Sequence, residues 1–337
     1  MSPSPEQFQV LINAIQLRSN HPTLGPYRLF NGFYEGVPGL VLDHYGPALV
    51  IFEHGRPGEH QDLIQAISAW ALEHIPGLNA FLLKERQHPD DGARNGILIR
   101  GDSLPGSIDE FGVHYALDLQ MNQDAGFYLD TRLLRCWLID HMGNKRVLNT
   151  FAYTGSLGVA AGAGGAGEVV QTDINRNFLG VAAESWRLNE IPEERCRILA
   201  GDFFRVMGRL RRQDELFDCA ILDPPYFSET QAGRVNLQES TVRLINKVRP
   251  MVGHEGYLAV VNNALYLSGE DFMGEIIALC QSPYLQFESI IRIPLDITGY
   301  PETVVDSPPV DPAPFNHPTK IVILKVFRKD QKRGTPL

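Results

Sequence analysis

RVLNTFAYTGSLGVAAGA, residues 146–163, is the stretch that decides how the chain is read. It opens on the apolar pair Val147-Leu148, crosses a polar turn holding Gly155, and leaves in a run of small residues that includes Gly158. A short apolar strand, a glycine-bearing turn and a helix, in that order, open a βαβ unit. Glycine has no Cβ, so the backbone at Gly155 and Gly158 is expected to approach a ligand closely. The helix that follows begins with N–H groups lacking intrahelical partners, which suit a carboxylate.

Outward from this stretch, the apolar runs EVVQTD (168–173), FDCAILD (217–223) and GYLAVVN (256–262) alternate with helical patterns over 130–142, 175–189 and 238–252. That alternation predicts a parallel sheet covered by helices on both faces. It places Asn149, Asp173, Asp223 and Asn262 at the carboxyl ends of strands, the edge where open α/β sheets bind ligands. Asp173, about twenty residues beyond the first turn, suits a pair of ribose hydroxyls. Asp202, in ILAGDFF (198–204), is positioned for an adenine amino group. An acid at a strand end also serves as the N-cap of the next helix, but three in order at this spacing favour a nucleoside-type cofactor.

Residues Gly162, Gly164 and Gly167 satisfy G-x-G-x-x-G. The dinucleotide reading requires that motif to follow a strand and open a helix. Here it closes a helix and leads into a strand, so it is read as a turn and a nicotinamide dehydrogenase is rejected.

The run Asp223-Pro224-Pro225-Tyr226-Phe227 follows the apolar strand CAIL. Two prolines fix φ and remove two backbone donors. The Asp223 carboxylate and the Pro224 carbonyl then form an acceptor pair for a planar amine or base edge, with Tyr226 or Phe227 stacking on its face. A rigid turn with core aromatics is the plainer alternative.

Before residue 120 the texture differs. A helical stretch over 6–19 precedes strand patterns at 27–32, 39–46 and 48–55, a helix over 60–77, and strands at 80–86, 96–101 and 111–119. The expected organisation is an N-terminal helical segment (1–26), a small α+β domain (27–120) and an α/β cofactor domain (121–330), with a Pro-rich irregular loop over 294–320. The 337 residues are 44% hydrophobic and 21% charged, the composition of an ordinary globular protein. No apolar run reaches the ~20 residues of a membrane span. The N-terminus lacks a signal-peptide pattern. The four cysteines are scattered, without zinc spacing. No metal, no membrane and a cytoplasmic location are expected. The net charge of −10 weighs against nucleic acid, because phosphate binding draws on Lys and Arg. Arg205, Arg209, Arg211 and Arg212, followed by Arg243, Lys247 and Arg249, form a local basic cluster; a solvated helix face explains it equally well.

The combination VLNTFAYTG, QTD, GDFF and DPPYF resembles the class I S-adenosylmethionine-dependent methyltransferases, with their Rossmann-like sheet. GFYLDTR (126–132) and RLFNGFYEGVPGLVLDHYG (28–46) narrow the resemblance to large-subunit (23S) rRNA methyltransferases that modify cytosine C5 or guanine. The likeness runs over about residues 27 to 265. It implies S-adenosyl-L-methionine as cofactor, held by Phe127, Tyr128, Asp130, Arg132, Asn149, Phe151, Tyr153, Thr154, Gly155, Asp173, Asp202 and Asp223. It implies ribosomal RNA as partner, with Asp223, Pro224, Tyr226 and Asn262 at the reaction and Tyr226, Phe227, Asn263 and His317 against the substrate.

Two departures qualify it. Only about 25 residues precede the α+β section, so the N-terminal PUA domain of the cytosine-C5 members is expected to be lacking. Those members also carry a nucleophilic cysteine after the fifth strand, where this chain has Val261-Asn262-Asn263. Cys219 lies inside an apolar strand and is expected to be inert. Direct nitrogen attack is therefore expected. The competing readings are methylation of a small molecule or protein amide, and a catalytically silent RNA-binding factor; a homodimer stays open.

Overall fold

The computed structural model describes residues 4–19, 25–230 and 233–332. They form two compact units: 1–129 with 294–307, and 130–293 with 308–337.

The first unit contains α1 (Pro5–Ser19), β1 (Tyr27–Asn31), β2 (Leu40–Tyr45), β3 (Ala48–Glu53), α2 (Gln61–His74), β4 (Ala80–Glu85), α3 (Asp91–Asn95), β5 (Ile97–Arg100), β6 (Ser107–Glu110) and β7 (Val113–Ala116). Strands β1 to β5 form a sheet in sequence order, and β6 pairs with β7 as a hairpin. Only β3 and β4 run parallel, because α2 carries the chain back between them. Helix α2 buries Leu63, Ile64, Ile67 and Ala71, one apolar stripe at helical spacing.

The expected boundaries shift here. Helix α1 is not a separate segment, since its Leu11, Ala14 and Ile15 belong to the same apolar core as β1 to β4. The unit continues past 120 to Leu129. There the Tyr45 hydroxyl donates to the Phe127 carbonyl at 2.9 Å and Lys84 Nζ to that of Asn122 at 2.8 Å. It also takes back 294–307. The Arg28 N–H donates to the Asp296 carboxylate at 3.0 Å, Asn31 Nδ2 to the Ile297 carbonyl at 3.0 Å, and the Val305 N–H to the Tyr34 carbonyl at 2.8 Å.

The second unit contains α4 (Arg132–His141), β8 (Arg146–Thr150), α5 (Ser156–Ala163), β9 (Glu168–Asp173), α6 (Arg176–Leu188), β10 (Cys196–Ala200), α7 (Phe203–Arg212), β11 (Phe217–Leu222), β12 (Phe227–Thr230), β13 (Gly233–Asn236), α8 (Leu237–Val248), β14 (Val252–Asn262), α9 (Gly269–Cys280), β15 (Leu285–Ile291) and β16 (Lys320–Val326). Its sheet runs β10-β9-β8-β11-β14-β16-β15. The first five strands are parallel, and β16 is antiparallel to both neighbours. Leu148, Val170, Leu222 and Val260 point to one face, into a core with Met207 of α7, Leu244 of α8 and Phe272 of α9. Their chain neighbours point the other way, where α5 packs on β8 and β9 and Trp137 of α4 meets Tyr257 edge-on at 5.4 Å. Strand order reverses at β8, whose pairing passes to β9 on one side and β11 on the other. This is the switch point where such sheets open a crevice.

Gly162 lies inside α5, where a Cβ would stand 2.5 Å from the Trp186 ring of α6. The literal G-x-G-x-x-G is therefore a packing feature at a helix end. No helix among the described residues is long and apolar enough to cross a membrane, and no group of three or more metal-ligating side chains occurs among them.

In the first unit Arg18 and Glu35 are both buried and bonded twice, at 2.8 and 2.9 Å. Glu35 also accepts from the Asn31 N–H and the Thr303 hydroxyl, tying α1 to the returning segment. Glu35→Ala leaves a buried guanidinium without its counter-charge and is expected to cost about 3–5 kcal/mol in urea unfolding. A loss under about 1 kcal/mol means that the pair does not hold α1 in place.

Candidate active site at the carboxyl edge of the parallel sheet

The turn after β8 is strained. Phe151 and Tyr153 adopt φ of 53°, in the left-handed region, and Gly155 follows at 81°. For residues with a Cβ this costs on the order of 1–3 kcal/mol each, and such turns persist only where their surroundings fix them. Here the Asp173 carboxylate accepts the Tyr153 N–H at 2.9 Å and the Asn175 N–H at 2.9 Å. The Ala152 N–H bonds to the Thr172 carbonyl at 2.9 Å. Phe151 stacks on Phe203 at 4.5 Å, and Tyr153 meets Phe178 edge-on at 4.5 Å. Thr154 is buried behind the turn.

The two glycines serve a different purpose from the one expected. A Cβ on Gly155 would stand 2.4 Å from Ala182 of α6, and one on Gly158 would stand 2.4 Å from Gln171 Oε1. Protein packing and a left-handed φ already require them, without a ligand. Helix α5 starts directly after Gly155, which has no side chain to offer its first N–H groups. Asn149 sits behind it, fully buried, its Nδ2 donating to Gln171 Oε1 at 3.3 Å. Its Oδ1 has no hydrogen-bond partner among the described residues. A buried acceptor without a donor is costly.

Asp202 caps α7, its carboxylate accepting the Arg205 N–H at 3.1 Å. That is the capping role of a strand-end acid, and it brings the carboxylate to the same sheet edge as Asp173.

The DPPYF run leaves β11 beside the strand-order reversal. Pro224 is buried, whereas Tyr226 and Phe227 are 44% and 50% exposed, so these rings are not core aromatics. Burial and the nearby Asp130 carboxylate push the Asp223 carboxyl up to about 7. Asp130 is itself held by the Thr319 hydroxyl at 2.8 Å.

Asn262 departs from the expected role at the reaction. It is 0% exposed. Its Nδ2 donates to Thr241 Oγ1 at 3.0 Å and the Leu237 carbonyl at 3.3 Å, and its Oδ1 accepts the Ala264 N–H at 2.9 Å. Every polar atom of its side chain is used to pin the end of β14 to α8, so it positions rather than touches. Asn263, next to it, is exposed. Beyond it, buried Lys320 donates to the Ala264 and Pro318 carbonyls and fixes the loop; burial lowers its pKa to about 8. His317 is half-buried and accepts the Thr319 N–H at 3.0 Å.

Of GFYLDTR, Phe127 and Tyr128 belong to the first unit. There Phe127 packs on Tyr115 at 4.9 Å, and the Tyr128 hydroxyl donates to Asp124 at 3.0 Å. Asp130 and buried Arg132 open α4 in the second unit. Sequence reasoning passed over Gln171, Thr241, Thr319 and Lys320, which orient the site; isolated polar residues in strands and loops carry no periodic signal. The exposed Tyr266, after β14, was also passed over. Burial pushes the Cys219 thiol up to about 12 and that of Cys196 to about 11, so neither is a thiolate near neutrality.

Comparison with known proteins agrees with this geometry. A family model described as S-adenosylmethionine-dependent methyltransferase matches residues 47–307. The "Ribosomal RNA large subunit methyltransferase I" of Vibrio cholerae is 33% identical over 234 residues, 67% of this chain and 57% of that protein. The protein of the same name in Escherichia coli is 29% identical over 262 residues, 76% and 65% of the two chains. The chain thus spans between 57% and 65% of the length of these relatives. A crystal structure described as a methyltransferase complexed with SAH superposes with a TM-score of 0.80 at 22% identity, covering 95% of this chain and 80% of that one. At that identity the likeness is one of fold.

The Asp223 carboxyl has an ordinary value of 3.8 and keeps its proton to about 7 in the fold. Between those values unfolding releases a proton, so this group makes stability fall as pH rises, with no further change above that window. Asp223→Asn removes the effect. Relative to the parent, its stability is expected to be greater at about pH 8 than at about pH 4. Urea unfolding at both pH values reads this difference, and an equal difference at both overturns the shifted ionisation.

Proposed function

The chain belongs to the S-adenosylmethionine-dependent methyltransferase family, and on that premise we propose that it methylates a base of large-subunit ribosomal RNA through direct attack by a nitrogen. The observation that carries the reading is the Asp223 to Phe227 run at the strand-order reversal, where a carboxyl poised near neutrality sits beside two half-exposed rings. The names of the similar bacterial proteins support ribosomal RNA as the substrate, and with it a cytoplasmic location.

The residues at the edge of β8 and β9 fit the cofactor's polar groups. The uncapped start of α5 suits a carboxylate, the unmatched Asn149 Oδ1 suits an amino group, and Asp173 suits ribose hydroxyls. Phe151, Tyr153, Thr154 and Gly155 shape the cradle, Asp202 offers an acceptor at the next strand end, and Asp130 and Arg132 fix the start of α4. Bound there, S-adenosylmethionine supplies a methyl group already activated on a sulfonium.

The protein's own share is then positioning and proton transfer. Tyr226 and Phe227 stack on the base, and the Asp223 carboxylate and Pro224 carbonyl accept from its amine. Asn263 and His317 border the acceptor. Holding the nitrogen in line at near-attack distance contributes on the order of 7–11 kcal/mol. As the new N–C bond forms, the methyl group's bond to sulfur would break and leave a neutral thioether, while the nitrogen gives up a proton that Asp223 in its charged form receives. An acceptor whose pKa lies near 7 suits that task at physiological pH. A covalent thiolate route lacks its nucleophile, because β14 ends at Asn262 with Asn263 next, and the Cys219 thiol is buried in β11.

A small-molecule or protein-amide acceptor is the second reading, favoured by the net charge of −10. Mass spectrometry of rRNA nucleosides from cells with and without the gene separates the two; identical nucleosides exclude the RNA reading. In vitro, Asp223→Ala is expected still to bind cofactor by calorimetry and to lose transfer by about 10²–10⁴-fold. Parental turnover should rise through pH ~7 as Asp223 ionises. Full activity in Asp223→Ala removes the assignment.

A further inference from the structure

We propose that the exposed face of α7 is the surface on which the chain docks the phosphate backbone of its RNA, a reading that rests on the RNA substrate proposed above. Arg205, Arg209 and Arg212 follow one another at i, i+4 and i+7 and share one side of the helix. Phe203, Val206, Met207 and Leu210 hold the other side in the core. Arg205, Arg209, Arg211 and Arg212 are all exposed, and none joins an ion pair among the described residues.

The fold by itself gives no reason for this row. The chain has 40 acidic residues against 30 basic ones, yet α7 carries no acid. Like charges at this spacing oppose helix formation. The helix dipole favours Arg209, Arg211 and Arg212 in the last turn but disfavours Arg205 in the first. A row of unneutralised guanidinium groups suits phosphate oxygens, which they bind through paired N–H donors.

Its location supports the same occupant. Asp202, which caps α7, stands at the carboxyl edge of the sheet. Phe204 joins the helix to the substrate loop. A Cβ on Gly233 of the β12–β13 hairpin would stand 2.4 Å from the Phe204 ring, so that hairpin, which begins at Phe227, rests directly on it. The Arg243 guanidinium of α8 lies 5.4 Å from the centre of the same ring. Helix α7 also packs beside Arg249–Met251, where Arg249 lies over Tyr284 at 5.4 Å. The basic row thus leads from the exposed rings of the DPPYF run along the side of the unit. An RNA whose target base is drawn out onto Tyr226 would lay its flanking phosphates along it.

The test is R205E/R209E/R212E in the full chain, with deproteinised 23S rRNA as probe and filter binding across a salt series. Each lost phosphate contact removes about 0.7–0.9 from the slope of log K against log salt. The slope is expected to fall by about 2–3 and affinity at ~0.1 M salt by at least ~10-fold. Cofactor affinity by calorimetry should be unchanged, as should RNA binding by R195E, a reversal outside the row. Should the glutamates impair cofactor binding, R205Q/R209Q/R212Q decides by the same slope. A parental slope in the triple variant overturns the docking face while leaving the RNA substrate standing. A parent protein that binds no RNA overturns both.

Discussion

The Asp173 carboxylate ties the turn after β8 to the segment that leads from β9 into α6. It takes one N–H from the strained turn after β8 and another from the start of the segment leading into α6. Together with the Ala152–Thr172 bond and the ring contacts of Phe151 and Tyr153, it holds both residues in left-handed conformations that their side chains disfavour. The start of α5, the buried Asn149 and the stacking of Phe151 on Phe203 all take their positions from that turn. Because Phe203 begins α7, the constraint reaches from β8 to the fourth helix of the unit.

Much of this was legible beforehand because the relevant signals are periodic or local. The alternation of apolar strands with helices gave the parallel sheet, and the order strand, turn, helix separated 146–163 from the misleading glycines at 162–167. Asp173, Asp202 and Asp223 were readable as strand-end acids because each closes an apolar run. The antiparallel close was less visible: β15 and β16 lie on either side of the Pro-rich stretch, outside the alternation of strand and helix. The hairpin over Phe227 to Asn236 was missed as well, its strands being only four residues each.

The sequence was mute where a residue's role depends on what it meets in space. Gly155 and Gly158 read as making room for a ligand, yet Ala182 and Gln171 claim that room first. Asn262, expected at the reaction, is buried and bonded to Thr241 of α8. The unit boundary at 129 and the return of 294–307 rest on single hydrogen bonds between distant residues, which no local pattern encodes.

That return has a further consequence for how the chain is made. Synthesis proceeds from the N-terminus, and the strands of the first unit all precede residue 120. Yet Asp296 and Ile297, which satisfy Arg28 and Asn31, and Thr303, which bonds Glu35, are translated only after most of the second unit. The earlier unit therefore cannot close its last polar contacts on the ribosome until the later one has largely emerged. The two are separable in space but interleaved in time, and no single cut in the chain liberates either one whole.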